Sequence, residues 1–192
     1  MKPSPEPLRA FEELLLSRAI PMGLVSASDK EALWDRHIDD SLRAAEAFRE
    51  EDRRCFDLGS GAGLPGIPLA IALPDRDLVL IDSRRRAVAF LELAVDRLGL
   101  ENVQVLPDRI ESVGAEVAAG GLLPADVATA RALAPIDRSW RLAAPLLRSG
   151  GRLVYFAGEG LTDPEVAARR AGADGELLVL DSWTPLVIMG RR

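Results

Sequence analysis

The chain has 192 residues, of which 48% are hydrophobic, and a formal net charge of -6 at pH 7. This length suffices for one well-packed domain with a small extension but not for two full domains, and the acidic balance argues against binding nucleic acid through bulk electrostatics. One cysteine, Cys55, and one histidine, His37, provide neither an internal disulfide nor a thiolate or imidazole cluster for zinc. We expect a cytoplasmic monomer without a metal or a membrane partner.

Two helices are predicted before the first strand. Apolar residues at three- and four-residue steps predict an amphipathic helix over residues 8–18. A second helix should begin at Ser28, where Glu31 completes a capping box, and should end near Arg49. One broad face of this helix consists of Trp34, His37, Ile38, Ser41, Leu42 and Ala45. We favour packing of this face against the core, with a role as one wall of a pocket as the alternative.

A strand, a glycine-rich turn and a helix are predicted over residues 56–73. The turn reads Asp57-Leu58-Gly59-Ser60-Gly61-Ala62-Gly63-Leu64-Pro65-Gly66. Glycines permit positive φ and remove Cβ atoms that would keep a cofactor away from the backbone. A helix N-terminus directly after such a turn completes a cofactor cradle. The stretch is therefore predicted to bind a cofactor, with a purely structural turn as the alternative.

Asp57 distinguishes between two classes of cofactor. The spacing Gly61-x-Gly63-x-x-Gly66 also fits a dinucleotide loop, in which a pyrophosphate lies on the helix N-terminus. A carboxylate directed into the pocket from the strand end would repel that pyrophosphate but would hydrogen-bond a cationic amino group. We therefore favour S-adenosylmethionine, which carries an ammonium and a sulfonium but no phosphate, over a nicotinamide dinucleotide.

Asp82 is the second candidate cofactor ligand. Residues 77–82 are a short apolar run ending in a carboxylate and are predicted as the second strand. Asp82 lies 19 positions after Gly63, where an acid at a strand end meets a ribose diol; a helix N-cap explains this residue about equally well. A helix over residues 84–98 should follow, and its predicted inner face contains Val88, Leu91, Val95 and Leu98.

Two further strand ends are predicted at the same edge of the sheet. The third strand covers residues 102–106, and the turn at 108–111 should line the adenine side of the site. Residues 114–124 are rich in small side chains and are predicted to loop back over one face. The fourth strand, residues 125–130, delivers Arg131 to this edge. Because a buried arginine without a partner is costly, Arg131 is a pocket candidate, with a surface position as the alternative.

The remaining elements complete a sheet that is covered on both faces. We predict helices at 139–147 and 163–171 and strands at 152–156, 176–180 and 184–189, the last two joined so closely that they must pair antiparallel. This order predicts an α/β fold with a doubly wound, mostly parallel sheet and an antiparallel C-terminal hairpin. Residues 1–50 should form an N-terminal helical extension packed on a core domain formed by residues 51–192.

Two stretches resemble the signatures of a known family. Leu33-Trp34-Asp35-Arg36-His37-Ile38-Asp39-Asp40-Ser41-Leu42 resembles the Trp-x-Arg-His-x-x-Asp-Ser-Leu signature of the bacterial ribosomal RNA small subunit methyltransferase G family, also called glucose-inhibited division protein B. Residues 59–70 are similar to its cofactor loop, including Leu-Pro-Gly-Ile-Pro. Leu80-Ile81-Asp82-Ser83 and Thr129-Ala130-Arg131-Ala132 are similar to two further stretches. The resemblance covers roughly residues 28–158 in the same order.

The resemblance implies a class I S-adenosylmethionine-dependent methyltransferase with a Rossmann-like fold. The implied acceptor is N7 of a guanine in 16S ribosomal RNA, so that the partner is this RNA or the small ribosomal subunit. Gly59 and Leu64 would contact the cofactor, Asp82 the ribose, and Ile110 and Glu111 the adenine. The complete set of implied cofactor-binding residues is Asp57, Gly59, Ser60, Gly61, Gly63, Leu64, Asp82, Ser83, Ile110, Glu111 and Arg131.

The implied chemistry requires no general base. Guanine N7 has a free lone pair at neutral pH, so that it attacks the sulfonium methyl group without losing a proton. Catalysis then depends on in-line positioning, which contributes ~7 kcal/mol or more, and on stabilising positive charge. We expect positioning roles for Arg36, His37 and Arg131, and Trp34 or Phe156 is expected to stack on a flipped guanine.

Three alternatives stay open. The family has a Lys-Gly pair after the fifth strand, where this chain has Ala157-Gly158; together with the negative charge, this difference favours a methyltransferase with a small-molecule acceptor. The dinucleotide spacing is typical of a nicotinamide-dependent oxidoreductase. The third alternative is a protein that binds the cofactor without turnover.

Overall fold

The computed structural model describes residues 5–158, 161, 163–173, 177–180 and 185–192. The strands are β1 (Arg54–Leu58), β2 (Asp77–Ile81), β3 (Val103–Leu106), β4 (Ala125–Arg131), β5 (Leu147–Phe156), β6 (Leu177–Leu180) and β7 (Leu186–Gly190). In this part of the chain they form one seven-stranded sheet in the order β3-β2-β1-β4-β5-β7-β6. Strands β1 to β5 run parallel, and β7 pairs antiparallel with both β5 and β6.

This sheet confirms the mostly parallel, doubly wound fold predicted from the sequence. The antiparallel C-terminal hairpin is also confirmed, with β7 turned back so that it lies between β5 and β6. The predicted connection at residues 181–183 lies outside the described residues. Strand β5 begins five residues earlier than predicted, because the expected turn at residues 149–151 is an irregularity within the strand, where the register against β4 shifts.

Helices cover both faces of the sheet. They are α1 (Pro5–Leu14), α2 (Asp40–Leu42), α3 (Gly66–Ala72), α4 (Arg85–Leu98), α5 (Ile110–Ala118), α6 (Ile136–Ala143) and α7 (Pro164–Arg170). Helices α5 and α6 pack Ile110, Val113 and Trp140 on one face. Helices α1, α3 and α4 pack on the other, where Phe11, Ile67 and Phe90 are fully buried in one cluster. Burial of such large apolar side chains is the main stabilising contribution to the fold.

The predicted second helix is a chain of short pieces rather than one helix. A 3-10 turn (Ala27–Ala32), a π-helical turn (Trp34–Asp39), α2 and a second 3-10 turn (Arg43–Ala47) follow one another. The predicted cap at Ser28 is wrong. Ser26 is the N-cap, because its hydroxyl accepts a hydrogen bond from the Ser28 amide.

Helices α4 and α5 differ from the prediction at positions where small residues are buried against neighbouring elements. Helix α5 continues to Ala118, where a loop was expected from Gly114, since Gly114 is buried against the 3-10 turn Ala144–Leu146: a Cβ placed there would lie 3.6 Å from Pro145 Cβ. Of the predicted inner face of α4, Leu91 is buried, whereas Val88, Val95 and Leu98 are only half-buried. The other buried residues of this helix are Ala87, Phe90 and Ala94. Its alanines allow the close approach that a count of large apolar residues overlooks.

A buried ion pair connects the end of the N-terminal segment to the sheet. Arg152 on β5 contacts the carboxylate of Asp52 and donates from Nε to the Ala47 carbonyl at 2.8 Å. Asp52 also accepts a hydrogen bond from the Arg49 amide at 2.6 Å. Because both charged groups are almost completely buried, each depends on the other for compensation. The division of the chain at residue 50 stays a prediction.

Substituting Gly66 with alanine should destabilise the fold. An added Cβ would lie 2.3 Å from Leu80 Cδ2 and 2.7 Å from Asp57 Oδ2, so that the helix has to move away from the sheet. We expect the free energy of unfolding in urea to fall by about 1–3 kcal/mol. The matched control is Gly114→Ala, also in a helix, whose Cβ would meet an ordinary contact and should leave stability unchanged or raised. Equal stability of the two variants would contradict this packing.

Candidate functional site

The glycine-rich loop crosses from the end of β1 to α3 over the carboxyl edge of the sheet. The amides of Gly59 and Ser60 both donate to the Ile81 carbonyl, at 2.8 and 3.0 Å, so that the loop is held against the end of β2. Gly63 has a φ of +79°, and an added Cβ would lie 2.4 Å from Ile67 Cδ1. A side chain at this position is therefore excluded both by conformation and by contact.

Asp57 lies beneath this loop rather than in a cavity. Its side chain is 1% exposed, its Oδ1 accepts a hydrogen bond of 2.7 Å from the Thr129 hydroxyl, and its Oδ2 has no hydrogen-bond partner. Burial raises the pKa of this carboxyl to about 6, although the hydrogen bond from Thr129 and the nearby Ser60 hydroxyl and Gly66 amide oppose the rise. The expected orientation into the ligand pocket is thus corrected, because the side chain turns towards β4 and the start of α3.

Asp82 closes the loop from the other side. Its Oδ2 accepts from the Gly61 amide at 2.9 Å and from Arg84 Nη2 at 2.8 Å. Its Oδ1 accepts from the backbone amide of Arg84 at 2.9 Å and from Nε of the same residue at 3.1 Å. Burial raises the pKa of Asp82, but these bonds outweigh burial and hold its pKa below the ordinary value. The carboxylate stays charged although it is almost fully buried.

Two cavities open along this edge and share a boundary. One, of about 330 Å³, contains Asp82, Ser83, Ile110 and Glu111 of the predicted site. The other, of about 270 Å³, contains Ser60, Gly61, Leu64, His37 and Arg131. Residues common to both linings are Gly59, Arg84 and Ala132. Three residues of the predicted site, Asp57, Gly63 and Arg36, line neither cavity.

Sequence reasoning missed several lining residues. Ala132 has a φ of +50°, which is rare for a residue with a side chain and marks a strained turn after β4. Ala132 lies in the stretch Thr129-Ala130-Arg131-Ala132 but was not predicted to line the site. Arg138 and Leu142 lie on helix α6. The other missed residues lie in connecting segments or in the 3-10 turn Ala27–Ala32, where no periodicity predicts their contacts, and they are Leu24, Val25, Ser26, Asp29 and Leu133.

Arg131 connects the N-terminal segment to the carboxyl edge of the sheet. Its Nη2 donates to the Arg36 carbonyl at 2.6 Å and contacts His37 Nδ1 at 3.1 Å. Its Nη1 lies 3.4 Å from Asp40 Oδ2, and the guanidinium also lies over the Phe156 ring, 5.4 Å from the centroid. The side chain is 16% exposed, so the surface alternative is wrong. Arg36 contributes a carbonyl here, while its own half-exposed side chain lies 3.8 Å from Asp29.

These contacts define the tautomer of His37. An arginine can only donate, so His37 Nδ1 must accept from Arg131 with its lone pair. The proton is then on Nε2, which donates to Asp29 Oδ2 at 3.2 Å. Burial and the charge of Arg131 lower the pKa of His37, against the opposing effect of Asp29. His37 is therefore a neutral imidazole whose two nitrogens are both engaged.

A larger cavity of about 840 Å³ lies at the opposite edge, where β4 and β5 begin. Its arginines are already engaged: Arg141 with Asp137, Arg148 with Asp126, and Arg191 with the Ala144 and Leu147 carbonyls. In open parallel sheets, ligands bind beyond the carboxyl ends of the strands. We therefore assign the site to the edge that carries the glycine loop.

Comparison with known proteins identifies the family. A model of the GidB family, described as rRNA small subunit methyltransferase G, matches residues 5–174. The chain belongs to this family. Ribosomal RNA small subunit methyltransferase G from Mycobacterium leprae is 40% identical over 163 residues, and the one from Acidiphilium cryptum is 42% identical over 167 residues. These matches cover 85% and 86% of the chain but only 64% and 73% of the two relatives.

The chain also shares its fold with solved methyltransferases. An O-methyltransferase from Bacillus cereus in complex with S-adenosylhomocysteine has a TM-score of 0.67 at 15% identity, with 95% of this chain and 91% of that chain covered. A tRNA (m1A58) methyltransferase from Aquifex aeolicus has a TM-score of 0.60 at 12% identity, with 81% and 68% covered. At this identity the likeness establishes the class I methyltransferase fold.

The described residues contain neither a membrane-spanning helix nor a cluster of metal-ligating side chains. None of their helices has the length and apolar character needed to cross a bilayer. No group of three or more metal-ligating side chains comes together in the same part of the chain.

The tautomer of His37 can be measured directly, because His37 is the only histidine in the sequence. We expect its nitrogen NMR signals to show a protonated Nε2 and an unprotonated Nδ1 at pH 7. The imidazole should titrate below the ordinary pKa of 6.5. Arg131→Met, which removes the donor to Nδ1, should raise the midpoint. A protonated Nδ1 or a midpoint above 6.5 in the wild type would contradict the arrangement.

Replacing Asp57 with asparagine should stabilise the protein at neutral pH. Since the folded pKa is about 6 against an ordinary 3.8, burial penalises the charged form, and wild-type stability is lost as the pH rises through this window. The stability difference should reach on the order of 3 kcal/mol above pH 6. Asp126→Asn is the opposite control, because Arg148 lowers the pKa of that carboxyl. The free energy of unfolding in urea should be measured for wild type and Asp57→Asn between pH 4 and about pH 7. A difference between them that does not change with pH would refute this account.

Proposed function

We propose that this protein transfers a methyl group from S-adenosylmethionine to N7 of a guanine in 16S ribosomal RNA. The observation that carries the proposal is a glycine loop beside a strand-end carboxylate, Asp82, in a chain that the GidB family model matches over residues 5–174. The chain spans about two thirds of the first relatives it matches, so activity, acceptor and partner are inferences. We further propose that it acts as a monomer in the cytoplasm.

The residues at the carboxyl edge fit this cofactor. Asp82 lines the 330 Å³ cavity together with apolar Ile110, Leu133 and Leu142, a combination suited to a ribose diol and an adenine ring. Beneath the loop, Asp57 adds a buried carboxylate with one unpartnered oxygen. A negative charge there favours a cationic ligand and disfavours a pyrophosphate on the same loop. S-adenosylmethionine therefore fits better than a nicotinamide dinucleotide.

The predicted site residues take different roles in this proposal. The loop residues Gly59, Ser60, Gly61, Gly63 and Leu64 would hold the methionine part through their backbone. Ser83, Ile110 and Glu111 would surround the nucleoside. Residues 1–50 would form the extension that completes the site, because Asp29 and His37 line the 270 Å³ cavity together with the loop.

The side chains at the acceptor end orient the substrate and do not move protons. When bound, S-adenosylmethionine supplies a methyl group on a cationic sulfur. Guanine N7 needs no deprotonation, and neither nitrogen of His37 is free to act as a base. Arg131 and Arg36 would position the wall of the cavity against the base. The carboxylates of Asp57, Asp82 and Glu111 would favour the positive charge that develops on the guanine.

Labelled S-adenosylmethionine tests the acceptor directly. The protein should transfer label to guanine N7 when incubated with small ribosomal subunits or deproteinised 16S RNA, as identified by mass spectrometry of the nucleosides. 23S RNA, the matched control, should receive no label. Label confined to small metabolites would contradict the RNA acceptor and would favour the alternative motivated by Ala157 and the net charge.

A further inference from the structure

Asp82 has no free acceptor position for a ribose. A carboxylate offers about four lone-pair positions, two on each oxygen. Gly61 N and Arg84 Nη2 occupy those of Oδ2, and Arg84 N and Arg84 Nε occupy those of Oδ1. Two of these four donors belong to the backbone and are fixed by the loop and by the start of α4. The other two belong to one guanidinium.

The guanidinium takes one position on each oxygen of Asp82, which is the pattern that two neighbouring hydroxyl groups require. Nε lies 3.1 Å from Oδ1 and Nη2 lies 2.8 Å from Oδ2. Its departure would leave one acceptor position on each oxygen, while the backbone amides kept the carboxylate in place. The arginine side chain therefore has the hydrogen-bonding pattern of a vicinal diol.

Arg84 is free to leave. Its side chain is 63% exposed, and within the described part of the chain its guanidinium makes no other hydrogen bond or ion pair. It lies across the glycine loop, where an added Cβ on Gly61 would be 3.3 Å from Nη2. Because Arg84 lines both cavities, its departure would also remove a side chain from their shared boundary.

We infer that Arg84 is an internal competitor for the nucleoside, whose two ribose hydroxyls must displace the guanidinium from Asp82 before the cofactor binds. This inference rests on the proposed function, since it concerns the same cofactor site. Because the guanidinium is mostly exposed, solvent screens its attraction to the buried carboxylate and the ion pair is weak. The competition therefore lowers affinity by a small factor and does not close the site.

Calorimetric titration with S-adenosylhomocysteine tests the inference without measuring turnover. Arg84→Gln should bind this ligand roughly two- to fivefold more tightly than the wild type. Arg85→Gln is the matched control, because it removes the same charge from an exposed neighbour whose side chain has no hydrogen bond or ion pair among the described residues. Its affinity should equal that of the wild type. Rising salt should narrow the gap, because salt screens the wild-type ion pair.

A second pair of ligands separates competition for Asp82 from a general effect of charge or space. Arg84→Gln should bind adenosine more tightly than Arg85→Gln does. Both variants should bind 2′,3′-dideoxyadenosine equally, because this nucleoside lacks the two neighbouring hydroxyls that would replace the guanidinium on Asp82.

The outcomes distinguish failure of this inference from failure of the proposed function. Unchanged or weaker S-adenosylhomocysteine binding by Arg84→Gln would overturn the inference alone, as would an equal gain for the dideoxynucleoside. Absence of binding by the wild type and both variants would overturn the proposed cofactor, and with it this inference.

Discussion

The candidate site depends on the buried guanidinium of Arg131. Arg131 lies at the end of β4. In the N-terminal segment its guanidinium contacts two carbonyls, an imidazole, a hydroxyl and a carboxylate. Burial lowers the pKa of Arg131, and Asp40 opposes this effect, so that removal of either partner would leave an uncompensated buried charge. The N-terminal segment therefore forms one wall of the site through charge pairing as well as apolar packing.

Three carboxylates near this edge have different environments although they lie close together in the fold. Asp57 is buried with one oxygen unpartnered, which raises its pKa; Asp82 is buried but fully hydrogen-bonded, which lowers its pKa. Asp40 shares its charge with Arg43 and Arg131. Burial opposes the charged form of both Asp57 and Asp82, and only at Asp82 do hydrogen bonds outweigh it. Such an edge favours a cation over a phosphate, in agreement with the proposed cofactor.

Local sequence patterns predicted most strands and helices but not the side-chain contacts between them. The strand, glycine turn and helix at residues 56–73 were predictable because φ restrictions and apolar runs act over a few residues. The broken second helix, the extension of α5 through Gly114 and the turn of Asp57 towards Thr129 depend on packing between distant segments. Arg84 was predicted only as the start of a helix, because the residue spacing does not give the geometry of the turn that brings its side chain to Asp82.

The position of β7 has a consequence for assembly of the sheet. Residues 186–190 supply hydrogen bonds to β5 on one side and to β6 on the other. Until this segment is in place, both of those strands keep a row of unpaired amides and carbonyls, a template for contact with other chains. During synthesis, the parallel half can pair as soon as β1 to β5 have emerged, whereas the other half has to wait. The unpaired edge of β5 is therefore the part of the growing sheet that is most prone to aggregation.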